Sequence, residues 1–96
     1  MSYRLTEAAK RDLIQVYLTG LERFGLRQAE SYLTLLEHAF QIIADTPEIA
    51  RERREIAPPV RVHPCGSHMV IYEINESGVL ILRVRHHRED WVNHPI

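Results

Sequence analysis

The chain has 96 residues, of which 45% are hydrophobic and 26% charged, and its formal net charge is −1. This length and composition predict one domain, residues 1–96, with a single hydrophobic core. The near-neutral charge argues against strong non-specific binding to nucleic acids, because such binding depends on neutralising phosphates with basic side chains.

Cysteine use and hydropathy indicate the compartment. Cys65 is the only cysteine, which excludes a disulfide within the chain and favours a reducing environment. No stretch approaches the ~20 apolar residues of a membrane-spanning helix, and the first residues lack the apolar run of a signal peptide. The sequence therefore predicts a cytoplasmic protein without a membrane segment.

The first half of the chain predicts two helices. Thr6 is a good N-cap, Gly25 is a natural stop, and apolar residues recur at helical spacing between them. A second amphipathic pattern runs from about Leu26 to Asp45 and ends before Pro47. So short a connection predicts an antiparallel helical hairpin.

Both predicted helices have more apolar surface than one core contact requires. The surplus positions are Ile14 and Leu18 in the first helix and Leu35 and Ile42 in the second. They widen each apolar arc to about 200°, compared with roughly 100° for an ordinary surface helix. In one interpretation each helix packs against both the sheet and its neighbour. In the other, these four residues contact another protein.

The second half predicts strands. Residues 48–59 are charged and irregular and predict a surface loop, which leads into a strand at residues 60–63. Two apolar runs flank residues 76–78 and predict a β-hairpin in which Gly78 has a positive φ. Together with a short edge strand at Tyr3–Leu5, this order predicts an α+β fold, in which an N-terminal helical hairpin packs on a small antiparallel sheet.

The predicted register of the hairpin assigns its residues to two faces. Pairing Asn75 with Val79 places Val70, Tyr72, Ile74, Leu80, Leu82 and Val84 on one face. The other face has Met69, Ile71, Val79 and Ile81, followed by Arg83 and Arg85. Because two helices cover only one face of a sheet, we expect the second face to bind a partner that is apolar with an acidic portion.

The last strand delivers cationic and hydrogen-bonding groups to one end of the sheet. They are Arg83, Arg85, His86, His87 and Arg88. Side chains alternate along a strand, so we expect the two histidines to point to opposite faces and not to share a site. The acidic residues 89 and 90 can pair with two of these arginines, in which case part of the cluster is structural.

Two further features near the strands are a tryptophan after the last strand and a cluster of possible metal ligands. Trp91 is expected to pack as a lid at the end of the sheet, although an exposed Trp is also typical of an interface. His63, Cys65 and His68 are close in sequence, but three ligands on one tight turn without a fourth make a poor zinc site. We therefore predict no metal and no other cofactor.

Several segments, taken in their order along the chain, resemble the ParE branch of the ParE/RelE toxins. They include residues 3–13, the helix ends at 24–25 and 42–47, and the strand segments 66–72 and 81–91. The resemblance implies the toxin of a type II toxin–antitoxin system that inhibits DNA gyrase. It also implies a hetero-oligomer with a ParD-like antitoxin, whose C-terminal segment wraps the toxin, and contact with DNA only through the antitoxin or gyrase.

This resemblance assigns roles to the candidate residues. Those for target binding lie at the end of the last strand: Arg83, Arg85, His86, His87, Arg88 and Trp91. Those for antitoxin binding lie on the predicted open face of the sheet and on the helices: Met69, Ile71, Val79, Ile81, Arg83, Arg85, Ile14, Leu18, Leu35 and Ile42.

The RelE branch of the same toxins, which cleaves messenger RNA on the ribosome, is the alternative. Such cleavage requires a group that activates the 2′-hydroxyl, a proton donor and cations for the phosphate. Arg61 and the arginine and histidine residues at the strand end can supply part of this set. The tail has no Tyr, however, and Trp91 cannot transfer a proton, so we predict no ribonuclease activity and no catalytic residue.

Overall fold

A computed structural model describes residues 2–96. The helices and strands follow in the order β1 (Tyr3–Leu5), α1 (Glu7–Phe24), α2 (Leu26–Asp45), a 3-10 helix (Pro47–Ile49), β2 (Glu52–Arg53), β3 (Val60–Cys65), β4 (His68–Asn75) and β5 (Gly78–His86). The predicted α+β fold and the bounds of both predicted helices are confirmed.

The five strands form one sheet in the order β1-β5-β4-β3-β2. The prediction of a purely antiparallel sheet is wrong, because β1 pairs with β5 in the parallel direction. The other neighbouring strands are antiparallel, including β2, which the sequence analysis had assigned to a loop. The sheet is therefore mixed, and both helices lie between its two parallel strands in the chain.

The two helices contribute unequally to the core. Within α1, all of which the structure describes, Ala9 is the only buried residue. In α2 six residues are buried, including Leu36, Phe40 and Ile43. The second helix thus provides most of the helical side of the core, and α1 keeps much of its surface exposed.

The predicted register of the hairpin is wrong near its turn. Asn75 pairs with Gly78, whose φ is +115°, so the turn contains only residues 76 and 77. A β-bulge then adds Leu82 to β5: Tyr72 pairs with Ile81, whereas the preceding residue of β4 pairs with Arg83. A bulge shifts the alternation of side chains by one residue. The predicted assignment of side chains to the two faces is therefore correct only from Arg83 onward in β5, beyond the bulge.

The bulge changes which apolar residues share a face. Val79 and Ile81 are buried in the core between the sheet and the helices, with Val70, Tyr72 and Val84. The opposite face has its own core, which contains Ile56, Val60, Val62, Ile71 and Leu82, with Met69, Leu80 and Trp91 packed against it. The predicted common face of Met69, Ile71, Val79 and Ile81 is thus wrong. It is also not open, since Ile56 from the preceding loop and Trp91 help to cover the second face.

Helix α1 is held on the edge of β5 by polar contacts. Strand β1 pairs only with residues 79–81, and beyond them the hydroxyl of Thr6 donates to the carbonyl oxygen of Leu82 at 2.7 Å. Six residues later in the chain, Asp12 Oδ2 accepts the backbone N–H of Val84 at 2.9 Å. The same carboxylate accepts two hydrogen bonds from Arg83, from Nε at 2.6 Å and Nη2 at 2.9 Å. Arg83 is therefore an internal ion-pair partner and not part of an open face.

Replacing Asp12 with Ala is expected to lower the free energy of unfolding by about 2–4 kcal/mol. The substitution leaves the largely buried Arg83 without a counter-charge and the N–H of Val84 without an acceptor. Glu7→Ala is the matched control, because it breaks only an exposed ion pair with Lys10 on the same helix and should have a much smaller effect. Urea denaturation followed by circular dichroism measures both changes. Equal losses would show that Asp12 does not anchor the helix.

Candidate functional site

A groove of about 690 Å³ lies between the helical hairpin and the end of the sheet. Its helical wall comes from the C-terminal turns of α1 and the start of α2, and its other wall from the ends of β4 and β5 and the residues that follow. The volume is in the range of small-molecule sites in proteins. It contains most of the polar groups that the sequence analysis had placed at the strand end.

The helical wall of the groove contains both apolar and polar residues. Val16, Gly20 and Ala29 contribute to it, and Phe24 stands at its end with 62% of its surface exposed. Arg23 precedes Phe24 and lines the same groove. An exposed aromatic ring therefore lies beside a cation at the end of α1.

Three histidines form the opposite wall. The rings of His86 and His87 stack with centroids 4.6 Å apart, and the ring of His68 meets His86 edge-on at 5.2 Å. The expectation that His86 and His87 would point to opposite faces is wrong. Strand β5 ends at His86, and His87 donates its backbone N–H to the carbonyl of Ser67, so the alternation of the strand no longer applies.

Tyr32 of α2 fixes the position of His68. Its hydroxyl lies 2.6 Å from Nδ1 of His68 and accepts the backbone N–H of Ser67 at 3.0 Å. Gly66 allows this contact: its φ is +58°, and a Cβ there would lie 2.7 Å from the Tyr32 hydroxyl. Burial, together with the neighbouring His86, lowers the pKa of His68 below its usual value. The ring is therefore neutral at pH 7.

The acidic residues of the groove are neutralised by their own partners. Asp12 pairs with Arg83, and Glu89 Oε1 accepts the backbone N–H of His86. The other oxygen of Glu89 lies 3.1 Å from Nε of Arg85, although this contact lacks hydrogen-bond geometry. The ion pair between Arg85 and Glu89 agrees with the expectation that part of the cationic cluster is structural.

Two arginines of the groove remain without a carboxylate. Within residues 2–96, neither Arg23 nor Arg88 forms an ion pair. Both are exposed and both line the groove. Because the carboxylates nearby already have partners, the groove has an excess of positive charge that the overall charge of the chain does not reveal.

The structure separates the predicted target-binding residues into two groups. Arg83 and Arg85 are largely buried in ion pairs, and Trp91 packs on the second face of the sheet, 5.5 Å from the guanidinium carbon of Arg53. The other three, His86, His87 and Arg88, line the groove. Trp91 thus packs against the sheet, as predicted, but on its second face.

Several groove residues were missed from the sequence. Tyr32 lay within the second predicted helix, His68 had been treated as a turn residue and Phe24 had only marked the end of the first helix. Arg23 had not been considered. The sequence signal for this part of the groove was an Arg next to a Phe, directly before the Gly that ends the first helix. Arg61, considered above for catalysis, lies outside the groove and donates to the carbonyl of Ala50.

The predicted antitoxin-binding residues also divide by burial. On the helices, Ile14, Leu18, Leu35 and Ile42 are all exposed, by 60%, 51%, 46% and 39%. On the sheet, Ile71, Val79 and Ile81 are buried and Met69 is half-buried. Only the helical candidates are therefore accessible in the structure as it stands.

No arrangement of three His, Cys, Asp or Glu side chains suited to a metal ion occurs in residues 2–96. His63, Cys65 and His68 do not form such a group. In the same part of the chain, no helix combines the length and hydropathy needed to cross a membrane.

Comparisons with known proteins agree with the fold and with the resemblance in the sequence. Residues 3–91 match the family described as the ParE toxin of type II toxin–antitoxin systems, parDE. The toxin ParE1 of Mycobacterium tuberculosis is 37% identical over 89 residues, which cover 92% of this chain and 91% of the relative. The toxin ParE1 of Caulobacter vibrioides is 32% identical over 84 residues, which cover 88% and 86%.

A solved structure has the same fold. It is described as the chromosomal ParDE TA system from P. aeruginosa, and the TM-score is 0.79 with 18% sequence identity. The match covers 90% of this chain and 95% of the other. With the match over residues 3–91, these similarities show that the chain belongs to the ParE toxin family of type II toxin–antitoxin systems.

Proposed function

We propose that this toxin inhibits DNA gyrase in the cytoplasm and is neutralised by a ParD-like antitoxin that covers its helical hairpin. The observation that carries the antitoxin part is the uncovered apolar surface of the helices: Ile14, Leu18, Leu35 and Ile42. The related P. aeruginosa structure is described as a ParDE system, which supports a partner of this kind.

The exposed residues are spaced as a partner helix requires. Ile14 and Leu18 are four residues apart in α1, so their side chains lie on one face of the helix. Leu35 and Ile42 are seven residues apart in α2 and share a face in the same way. Burial of such side chains contributes about 1.5–3 kcal/mol each, enough for a stable complex when several are covered together.

We place the proposed contact surface on the helices and not on the sheet. The second face of the sheet already packs against Ile56 and Trp91, and the buried residues there have no surface to offer a partner. Met69, which is half-buried, is the one sheet candidate kept in the proposal. The proposed partner is therefore an apolar segment of the antitoxin that lies along the helices. The partner expected from the sequence was a segment with apolar and acidic portions that lies on the sheet.

Ile14→Glu and Leu18→Glu are each expected to weaken antitoxin binding at least about tenfold, because a charge would replace a buried apolar contact. Val92→Glu is the control, since Val92 is similarly exposed but lies outside the helices. Calorimetry with the antitoxin gives the affinities, and thermal unfolding verifies that each variant is folded. Unchanged affinity in both helix variants would place the antitoxin elsewhere.

The groove supplies the proposed contact with gyrase. Of the strand-end residues, His87 and Arg88 are exposed, whereas Arg83 and Arg85 are held in ion pairs. An exposed guanidinium close to a rigid strand can bind a carboxylate or phosphate in a bidentate way with a small ordering cost. Binding to gyrase, or to the DNA that gyrase holds, requires no bond-making by the toxin.

Arg88→Ala is expected to reduce gyrase inhibition about tenfold and to leave antitoxin affinity unchanged, because it removes an exposed cation without breaking an ion pair. Arg4→Ala is the matched control: Arg4 is also exposed and forms no ion pair within residues 2–96, but it lies in β1 and lines no part of the groove. Supercoiling and DNA-cleavage assays with purified gyrase measure the effect. If full inhibition persists in Arg88→Ala, this residue is not part of the gyrase contact.

Messenger RNA cleavage is the second candidate, and the histidine cluster is the observation that favours it. His68, His86 and His87 lie together in one groove, which the sequence analysis did not expect. We nevertheless expect no cleavage, since the relatives are described as ParE toxins. An in vitro translation reaction with the purified protein tests this directly, and ribosome-dependent cleavage that is lost in His86→Ala would establish the alternative.

A further inference from the structure

The hydrogen bonds around two groove histidines bear on which ring nitrogen carries the proton. Nδ1 of His86 accepts the backbone N–H of Arg88 at 3.1 Å, so a neutral His86 must carry its proton on Nε2. The Tyr32 hydroxyl accepts an N–H from Ser67 and lies 2.6 Å from Nδ1 of His68. In the tautomer in which this hydroxyl donates its proton to Nδ1, His68 also carries its own proton on Nε2.

In these tautomers both Nε2–H groups are unused donors. Within residues 2–96, neither of these nitrogens has a hydrogen-bond partner, and neither is a buried unsatisfied atom. They belong to residues that line the groove, as do the unpaired cations Arg23 and Arg88. The groove then combines two imidazole N–H donors and two positive charges, and its carboxylates are already engaged.

The apolar part of the groove suggests what carries the anion. Phe24 presents an exposed ring at the end of α1, next to Arg23. A ring in this position can stack on the flat face of a base, a contact that tolerates any base. A groove of about 690 Å³ has room for one nucleotide.

We propose that this groove binds a nucleotide. Arg23, Arg88 and the Nε2–H groups of His68 and His86 hold the phosphate, and Phe24 stacks on the base. The ligand chemistry is that of a nucleoside monophosphate, either as a small molecule or as one unit of a single strand. This inference does not rest on the gyrase or antitoxin proposals, because it concerns binding by the toxin alone.

Imidazole resonances of the wild-type protein provide the first test. Addition of thymidine monophosphate is expected to shift the signals of His68, His86 and His87 along saturable curves. His38, His63 and His94 lie outside the groove and serve as controls in the same spectrum. Equal shifts of all six histidines, or no shifts, would overturn the proposal. Stronger saturable shifts with a deca-aspartate peptide would assign the groove to an acidic protein segment and overturn it as well.

Variants then test the assigned contacts. Arg23→Gln and Arg88→Gln are each expected to weaken thymidine monophosphate binding about tenfold, and Arg27→Gln, an exposed change outside the groove, to leave it unchanged. Phe24→Ala should reduce the affinity to that of deoxyribose 5-phosphate, which has no base. Equal weakening in Arg23→Gln, Arg88→Gln and Arg27→Gln would show that the binding is only general electrostatic attraction.

The length of the ligand distinguishes a free nucleotide from one unit of a single strand. A ten-residue thymidine oligonucleotide that binds much more tightly than the monophosphate supports a single strand as the ligand. Equal affinities support a free nucleotide. In either case the protein should leave a ten-nucleotide uridine oligonucleotide intact. This oligonucleotide has the 2′-hydroxyls that ribonuclease cleavage requires, so its survival separates the binding from the ribonuclease alternative.

Discussion

The unpaired edge of β5 is the constraint on which the arrangement of the molecule depends. Strand β1 covers only three residues of this edge, and exposed peptide groups beyond it would be available for pairing with another chain. Thr6 and Asp12 satisfy two of those groups from α1, and the carboxylate of Asp12 also neutralises Arg83. This bonding sets where α1 lies and therefore the width of the groove between the helices and the strand end.

Much of the fold could be predicted because its signals are local. The N-cap at Thr6, the stop at Gly25 and the helical spacing of apolar residues gave both helices their observed bounds. The faces of the sheet could not be predicted in the same way. Alternation assumes an uninterrupted strand, and one extra residue at Leu82 moved Val79 and Ile81 to the opposite side. Nothing in the run of apolar residues marks such a bulge, since both faces of this sheet are apolar.

The groove was predicted only in part, because it depends on contacts between distant segments. The basic strand end was visible in the sequence, but the ion pair between Arg83 and Asp12 joins residues far apart in the chain. Tyr32 and His68 meet in the same way, and no periodicity indicates that a helical Tyr will bond a histidine in a turn. Family resemblance supplied the toxin assignment, whereas the structure distinguished the arginines that hold the fold from those that remain exposed.

The sparse burial of α1 has a consequence for the lifetime of the protein. A helix with Ala9 as its one buried residue has few buried apolar contacts, so its segment near the groove should open locally at a lower free energy than the sheet. Any partner that binds only the closed form then slows that opening in proportion to its concentration. Amide exchange in residues 19–24 would report this coupling, and proteases would cut the uncomplexed chain there first. A partner that covers the helices is therefore expected to lengthen the time for which the folded chain persists.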